Sequence, residues 1–221
     1  MERANHHRKG NIVLLQQSHQ VSEVSSAPDP HHSPSVNRYS GSITESQCAP
    51  AIAGVRLIPL RRHDDSRGSF CEAFRASWIR GPKPWVQWNI SRSKAGVVRG
   101  LHVHQRQTDY WHLVEGTTTA ALVDIRPDSP TSRVAMCVPL SAQIPQALVI
   151  PPGILHGFCC DSDVVLMYLL DQEYDPSDEH GVLWNDPELH LPQSWYSAAA
   201  PVLSIRDGEA CLLKDLKLPS A

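Results

Sequence analysis

The sequence lacks any apolar stretch long enough to cross a bilayer. Its longest aliphatic runs, residues 12–15 and Val164–Leu170, fall far short of the roughly 20 apolar residues that a membrane-spanning helix needs. The basic residues near the start, Arg3, Arg8 and Lys9, are followed by too few apolar residues for a secretory signal peptide. We therefore expect neither a membrane partner nor secretion.

The sequence also lacks two further features, cysteines at C-x-x-C spacing and an excess of positive charge. The sequence contains no C-x-x-C pair, and its six cysteines are scattered, which is typical of free thiols in a reducing compartment. They are Cys48, Cys71, Cys137, Cys159, Cys160 and Cys211. Lys and Arg number 20 against 23 Asp and Glu, giving a net charge of -3, whereas nucleic-acid-binding surfaces are basic. We predict a cytoplasmic protein that does not bind nucleic acid.

Residues 1–53 differ in composition from the rest of the chain. They hold His6, His7, His19, His31 and His32, and residues 25–46 are rich in Ser, Pro and Asn without helical or strand periodicity. Such a segment cannot bury enough apolar surface to offset the entropy of ordering it. We predict a disordered extension over residues 1–53 and one folded domain over residues 54–221.

Short runs rich in Val, Leu, Ile and Thr follow, separated by Pro, Gly, Asp and Ser. The predicted strands span residues 55–60, 85–90, 117–125, 134–138, 147–150 and 164–170. Only residues 71–79 and 186–189 have a helical pattern, and the segment from Pro192 onward is rich in loops. This spacing predicts an all-β barrel or sandwich with few short helices.

Three histidines stand out by their spacing. His102 and His104 lie two residues apart in Gly100-Leu-His102-Val-His104, and a third ends Pro151-Pro-Gly153-Ile-Leu-His156. Residues two apart on a strand point to the same face. We therefore expect His102 and His104 to share a face, and the inward polar groups of a small barrel gather around one cavity.

This spacing resembles the cupin pattern, which implies a double-stranded β-helix, a barrel of the jelly-roll type. The matching positions are Gly96, His102, His104, Asp109 and Gly116 in the first motif, with Asp where Glu is usual, and Pro151, Gly153 and His156 in the second. Two interpretations stay open. His102, His104, Asp109 and His156 bind Fe, Mn, Zn or Ni, or the cavity holds no metal and one histidine is a general base.

A longer series of blocks runs in a consistent order from about residue 55 to residue 213. The blocks are Asp65-Ser-Arg67-Gly-Ser-Phe-Cys-Glu72, Gln87-Trp-Asn89-Ile-Ser-Arg-Ser-Lys-Ala-Gly-Val-Val-Arg99-Gly-Leu-His102, Asp124-Ile-Arg-Pro-Asp-Ser-Pro-Thr131, Leu140-Ser-Ala, Ile150-Pro-Pro-Gly-Ile-Leu-His156-Gly-Phe, Gly181-Val-Leu-Trp-Asn-Asp186 and Leu203-Ser-Ile-Arg-Asp207. Any one of them is a weak signal. Together they resemble the dTDP-4-dehydrorhamnose 3,5-epimerase family.

The resemblance implies an isomerase that epimerises nucleotide-linked 4-keto-6-deoxyhexoses and needs no cofactor. By motif position, His102 is the base that removes a proton beside the ketone, Asp207 orients it, and Tyr168 is the proton donor. The resemblance also implies a substrate-binding set made of Arg67, Glu72, Gln87, Asn89, Arg99, His156 and Tyr174. The implied substrate is a nucleotide-diphospho-sugar, expected to be dTDP-linked, and the implied assembly is a homodimer.

One departure from the family falls inside the expected site. Family epimerases carry a lysine shortly after the histidine motif, where it helps to hold the developing enolate oxygen, and Asp109 takes its place here. A carboxylate opposes an enolate instead of stabilising it. This position keeps two rival functions open: a metal-dependent cupin enzyme, and a sugar-nucleotide-binding protein without turnover.

Overall fold

The computed structural model of the protein describes residues 12–14, 51–192, 195–196 and 200–219, and β-strands dominate it. The strands are β1 Ile12–Leu14, β2 Arg56–Pro59, β3 Arg62–Asp65, β4 Gly68–Cys71, β5 Gln87–Ser93, β6 Val98–Val103, β7 Asp109–Glu115, β8 Thr117–Asp124, β9 Ala135–Ser141, β10 Gln146–Ile150, β11 Ile154–Cys160, β12 Val164–Leu170 and β13 His180–Gly181. A short α-helix, α1, spans Ile205–Gly208, and 3-10 turns span Ala76–Trp78, Pro176–Asp178, Pro187–Leu189 and Leu213–Asp215.

Most of these strands form two sheets that pack face to face. One sheet has the order β1-β9-β8-β11-β6-β13 and the other has the order β2-β10-β7-β12-β5, while β3 and β4 form a separate hairpin. The pairs are antiparallel except for β1, which runs parallel to β9. The predicted jelly-roll fold is confirmed.

The interior between the sheets is filled by alternate residues of both. Trp111 and Leu113 of β7 face Leu122 of β8 and Met136 of β9 across it. The opposite faces are covered too. Trp184, Trp195 and other residues of the C-terminal segment pack on the six-stranded sheet, and residues around Phe74 and Trp78 pack on the five-stranded sheet. Because both faces of each sheet are covered, the sequences of the strands are nearly continuous apolar runs.

The predicted helix over residues 71–79 is wrong. Cys71 ends strand β4, and only Ala76–Trp78 form a 3-10 turn. The helix-like spacing arises because Phe74, Trp78 and Ile79 all pack against the five-stranded sheet. The predicted helix over residues 186–189 is a 3-10 turn, Pro187–Leu189, in which the Asp186 side chain accepts a hydrogen bond from the Glu188 backbone N–H.

The N-terminal extension is described only in part. Residues 1–11 and 15–50 lie outside the described residues, so the disorder predicted for them stays a prediction. Within the extension, Ile12–Leu14 pair with Ala135–Cys137 of β9. Ile52, which the sequence assigns to the extension, is buried in the interior between the sheets. Across the described ranges, no helix has the length and apolar character needed to span a bilayer.

A polar network closes the turn after β8. Asp124 is fully buried and accepts hydrogen bonds from the Arg126 guanidinium at 2.8 and 2.9 Å and from the Ser129 and Thr131 hydroxyls at 2.6 Å. Burial alone would raise the pKa of Asp124, but these hydrogen bonds outweigh it and lower the pKa to about 2. The Asp124-to-Thr131 block is therefore a structural element that holds the turn.

We predict that Asp124→Asn lowers the free energy of unfolding by about 2–4 kcal/mol at neutral pH, because it removes a buried charge and leaves its partners poorly satisfied. Because the folded pKa lies below the unfolded value of about 3.9, this contribution is complete above about pH 4 and fades as the pH falls towards 2. Urea denaturation measures it. The control is Asp128→Asn, an exposed carboxylate in the same turn, which should change stability by less than about 0.5 kcal/mol. Equal losses in the two variants would contradict the assigned role.

Candidate active site

One cavity of about 640 Å³ opens between the two sheets and gathers most of the predicted site residues. It is lined by Gln87, Asn89, Ser91, Arg99, His102, His104, Gln107, Asp109, Trp111, His156, Gly157, Phe158, Leu166, Tyr168, Leu170, Tyr174, Glu179, Ser204, Arg206 and Asp207. Of the predicted residues, only Arg67 and Glu72 lie elsewhere. The cavity lies where the apolar interior gives way to polar side chains.

Strand alternation aims His102 into this cavity. Leu101 and Val103, its neighbours on β6, pack on the outer face of the six-stranded sheet, so His102 points inward. His104 lines the same cavity, as its spacing predicts. Strand β11, which carries His156, lies very close to β6. A Cβ added at Gly100 of β6 would lie only 2.8 Å from the Gly157 Cα of β11. Two glycines thus allow the backbones of β6 and β11 to meet beside the histidines.

The imidazole of His102 lies between two carboxylates. Its Nε2 is 2.7 Å from Asp207 Oδ1, and its Nδ1 is 3.4 Å from Glu179 Oε1. Because a carboxylate only accepts, the 2.7 Å contact has Nε2–H donating to Asp207, and in this tautomer the Arg206 guanidinium near Nε2 is an electrostatic neighbour that does not donate a hydrogen bond to it, while Nδ1 of the ring carries the lone pair. Arg206 lies over this group, with its guanidinium 2.9 Å from Glu179 Oε1 and 3.0 Å from His102 Nε2.

Both carboxylates beside His102 are held ionised. Burial would raise the pKa of Asp207, but the hydrogen bond and charge of His102, the Ser204 hydroxyl and the charge of Arg206 outweigh it and lower the pKa. Burial likewise opposes ionisation of Glu179, whose pKa is nevertheless lowered by Arg206, Tyr174 and His102. Two anions therefore face the His102 ring.

Tyr168 enters the cavity from the other sheet. It lies on β12, between Asn89 of β5 and Trp111 of β7, whereas His102 lies on β6. Burial and the charges of Asp109 and Glu179 raise the pKa of Tyr168. The phenol therefore keeps its proton at neutral pH, so the cavity presents a lone-pair acceptor on one wall and a proton donor on the other.

Amides and a guanidinium line the edge of the cavity along β5. Gln87 Nε2 donates to Asn89 Oδ1 at 3.2 Å, and Gln87 Oε1 accepts from the Tyr174 backbone N–H at 2.8 Å. The Arg99 Nε donates to Ser93 Oγ at 2.8 Å. These groups offer hydrogen-bond donors and one fixed positive charge to a ligand in the cavity.

The other two predicted binding residues lie on the β3–β4 hairpin and the loop that follows it. Arg67 is exposed at the hairpin turn and pairs with Asp65 at 2.5 Å. Glu72 is paired with Arg75 at 2.7 Å. The fold of a single chain does not bring either side chain to the cavity.

A second polar cluster lies within the same cavity. His104, Asp109 and His156 are each at least nine-tenths buried, and their ligand atoms lie within 4.8 Å of one another. Burial lowers the pKa of His156 to about 4, although Asp109 acts in the opposite direction. His102, the fourth member of the predicted metal set, is held by Asp207 instead.

Sequence reasoning missed Glu179 and Arg206. Arg206 lies inside the Leu203-to-Asp207 block, where only the aspartate was singled out, and Glu179 lies two residues before the block that starts at Gly181. Their proximity to His102 results from tertiary packing, because 104 residues separate Arg206 from that histidine in the chain. The position of Arg206 inside one family-like block, and of Glu179 just before another, was the sequence feature that could have identified them.

Comparisons with known proteins show which family the chain resembles. The sequence profile of the dTDP-4-dehydrorhamnose 3,5-epimerase family matches residues 49–215. A dTDP-4-dehydrorhamnose 3,5-epimerase of Neisseria gonorrhoeae is 36% identical over 163 residues, which are 71% of this chain and 49% of that protein, so the chain spans about half the length of this relative. A dTDP-4-dehydrorhamnose 3-epimerase of Streptomyces niveus is 37% identical over 174 residues, 75% of this chain and 83% of that one.

A solved structure shows the same likeness in three dimensions. The dTDP-6-deoxy-D-glucose-3,5-epimerase of Legionella pneumophila Philadelphia 1, in complex with dTDP-4-keto-L-rhamnose, matches with a TM-score of 0.71 and 31% sequence identity. The match covers 80% of this chain and 94% of that one. Profile, sequence and fold agree: this chain belongs to the dTDP-4-dehydrorhamnose 3,5-epimerase family.

Proposed function

We propose that this protein epimerises a nucleotide-linked 4-keto-6-deoxyhexose, with His102 as the base and Tyr168 as the acid. The observation that carries the proposal is the placement of these two groups on opposite sheets around one cavity. An epimerase must remove a proton from one face of a carbon and return one to the other face. A base and an acid that face each other across the substrate meet that requirement.

The proposed reaction uses His102 as a neutral base and Tyr168 as a protonated acid. A proton on a carbon beside the C4 ketone is removable because the resulting charge spreads onto the carbonyl oxygen. His102 Nδ1 accepts this proton, and Asp207 stabilises the imidazolium through Nε2–H. The phenol of Tyr168 then donates its proton to the opposite face of the same carbon. Arg206 balances part of the negative charge of Glu179 and Asp207.

The substrate we propose is a dTDP-sugar. The Legionella relative was solved with dTDP-4-keto-L-rhamnose, and the cavity here offers Arg99, Gln87 and Asn89 along one edge. A guanidinium matches the oxygens of a diphosphate in a bidentate manner, and amides suit the polar edges of a base or sugar. Relatives are named as 3,5-epimerases and as a 3-epimerase, so C3 is the centre common to both names.

We further propose that the working unit is a homodimer in which the hairpin of one copy completes the site of the other. Arg67 and Glu72 match the binding pattern of the family but lie away from their own cavity. Apolar side chains are exposed on the same hairpin and on edge strand β5, where Phe70 is 67% exposed, Trp88 69% and Ile90 67%. An exposed edge strand with apolar side chains favours pairing with another chain.

The proposal predicts that His102→Asn abolishes exchange of substrate protons with solvent. Incubating the protein with dTDP-4-keto-6-deoxyglucose in deuterated water, and locating deuterium at C3 and C5 by NMR, measures this loss. His190→Asn is the matched control, because His190 is exposed and has a left-handed backbone that asparagine tolerates. Exchange in the control but not in His102→Asn is expected. An active His102→Asn variant would disprove the assigned base, and absent exchange in the folded wild type would favour a binding protein without turnover.

We expect Tyr168→Phe to separate the two proton transfers. The variant keeps the ring but loses the donated proton, so the rate of product formation should fall about 10²–10⁴-fold. Deuterium incorporation by His102 should persist above the level of the His102→Asn variant. Product analysis by NMR alongside the exchange assay checks both rates. Unchanged turnover would show that another group donates the proton.

Subunit mixing tests the shared site. Arg67→Ala and His102→Asn should each be nearly inactive as pure proteins. In mixed dimers one site carries both defects and the other carries neither, so an equal mixture should recover about a quarter of the wild-type activity. Dimer exchange is verified by native mass spectrometry. Verified mixed dimers without recovered activity would show that Arg67 does not act in the partner's cavity.

A further inference from the structure

The cluster of His104, Asp109 and His156 concentrates lone pairs in a buried space. The His156 Nδ1 lies 2.9 Å from the Ile154 carbonyl oxygen, to which it donates its proton, so its Nε2 carries a lone pair. That Nε2 faces Asp109 Oδ2 at 3.6 Å. Both atoms offer lone pairs to the space between them, which a cation can occupy.

His104 approaches the same carboxylate in a similar way. Its Nδ1 lies 3.8 Å from Asp109 Oδ1 and 3.3 Å from Gln107 Nε2. An amide N–H only donates, so this imidazole nitrogen also presents a lone pair to the cluster. Two imidazole lone pairs and one carboxylate therefore converge from β7, β11 and the end of β6.

We propose that His104, Asp109 and His156 bind one divalent transition-metal cation inside the cavity. Two imidazoles and one carboxylate suit Zn²⁺, Fe²⁺, Co²⁺ or Ni²⁺ better than Mg²⁺, which prefers an all-oxygen shell. The ligand atoms lie within 4.8 Å of one another, and ligands 2.0–2.2 Å from a tetrahedral ion are about 3.4 Å apart, so the most distant pair has to close by up to about 1.4 Å. Three protein ligands leave coordination positions open to the cavity.

Groups around the cluster already hold the ligands in place. The Ile154 carbonyl fixes the His156 ring, and Asp109 accepts hydrogen bonds from Gln107 Nε2 at 2.6 Å and from Trp111 Nε1 at 3.1 Å. Partners of this kind fix the tautomer and orientation of metal ligands in proteins. Metal binding requires that the Gln107 amide release His104 and that the ligand atoms close around the ion.

A cation here would also restore the charge that Asp109 reverses. A dication bound to one carboxylate and two neutral imidazoles leaves a net single positive charge, which equals the charge of the lysine that the family resemblance leads us to expect at this position. This positive charge would lie in the cavity that we assign to the keto sugar. The role for the charge rests on the proposed function, whereas the binding of the metal does not.

Zn²⁺ binding to the metal-depleted full-length protein tests the site directly. We expect the wild type to retain one equivalent of Zn²⁺ per chain that Asp109→Ala and His104→Ala lack, with affinity for that equivalent weakened at least about 100-fold. His190→Asn should retain it. The N-terminal histidines are the same in all four proteins, so any Zn²⁺ they bind cancels in the comparison. Competition with a chelator and elemental analysis give the affinity and the stoichiometry.

Equal Zn²⁺ retention in the wild type and in both cluster variants would overturn the proposal. Circular dichroism establishes that each variant is folded, and if Asp109→Ala is not, His104→Ala decides. Co²⁺ gives a second readout, because its visible absorption bands should appear in the wild type, disappear on adding Zn²⁺ and be missing from His104→Ala. An excess of Mg²⁺ should not displace Zn²⁺.

Deuterium exchange into the substrate is measured separately, with metal-depleted and Zn²⁺-loaded protein. At least tenfold faster exchange in the loaded form is expected if the cation compensates for Asp109. Equal exchange in both forms would overturn that role. Absence of exchange from both forms would count against the proposed function, while the Zn²⁺ titration, which uses no substrate, independently decides whether the site exists.

Discussion

The hydrogen bond between His102 and Asp207 links two segments that lie 105 residues apart in the sequence. It forms only because the C-terminal segment docks against β6. The Val98 backbone N–H donates to the Val202 carbonyl at 3.0 Å, and the Ser204 side chain caps α1 by accepting from the Asp207 backbone N–H. The segment that the sequence describes as rich in loops is thus part of the site, because it supplies the carboxylate that sets the tautomer of the histidine.

Trp111 lies at the boundary between the apolar interior and the cavity. Its ring packs edge-on against Phe158 on one side and His156 on the other, at centroid distances of 5.5 and 5.4 Å. Its indole N–H reaches Asp109, so one side chain both fills the core and satisfies a buried carboxylate. A large aromatic residue with one polar atom suits this position, since its apolar body and polar tip face different surroundings.

Much of the sheet structure could be predicted from the sequence, because alternation and apolar runs are local properties. The predicted strand over residues 164–170 is observed as Val164–Leu170. The β3–β4 hairpin and strands β7 and β11 were not predicted. Most hairpin residues are polar and only partly buried or exposed, and the charged and histidine residues of β7 and β11 interrupt the expected apolar pattern. The false helix at residues 71–79 shows that helical spacing also arises when aromatic side chains pack on a sheet.

Site residues were predictable where the chain itself brings chemistry together, as in the His102 and His104 pair. Glu179 and Arg206 were not, because their relation to His102 depends on how a late segment folds back. Asp109 belongs partly to the residues that the sequence predicts and partly to those that depend on tertiary packing. Its departure from the family pattern is visible in the sequence, but its meaning depends on neighbours in space.

The family resemblance leads us to expect a lysine where Asp109 stands, and a negative charge in a buried cavity is costly unless something balances it. The surroundings of Asp109 supply N–H donors from Gln107 and Trp111 but no formal positive charge from either residue. A single substitution of lysine by aspartate would therefore weaken an enolate-forming site. This chain instead carries His104 beside Asp109, at a spacing that resembles the metal-binding motif of the cupins. In the metal site proposed above, His104 and Asp109 act together, because a cation bound to both supplies the positive charge that Asp109 alone lacks.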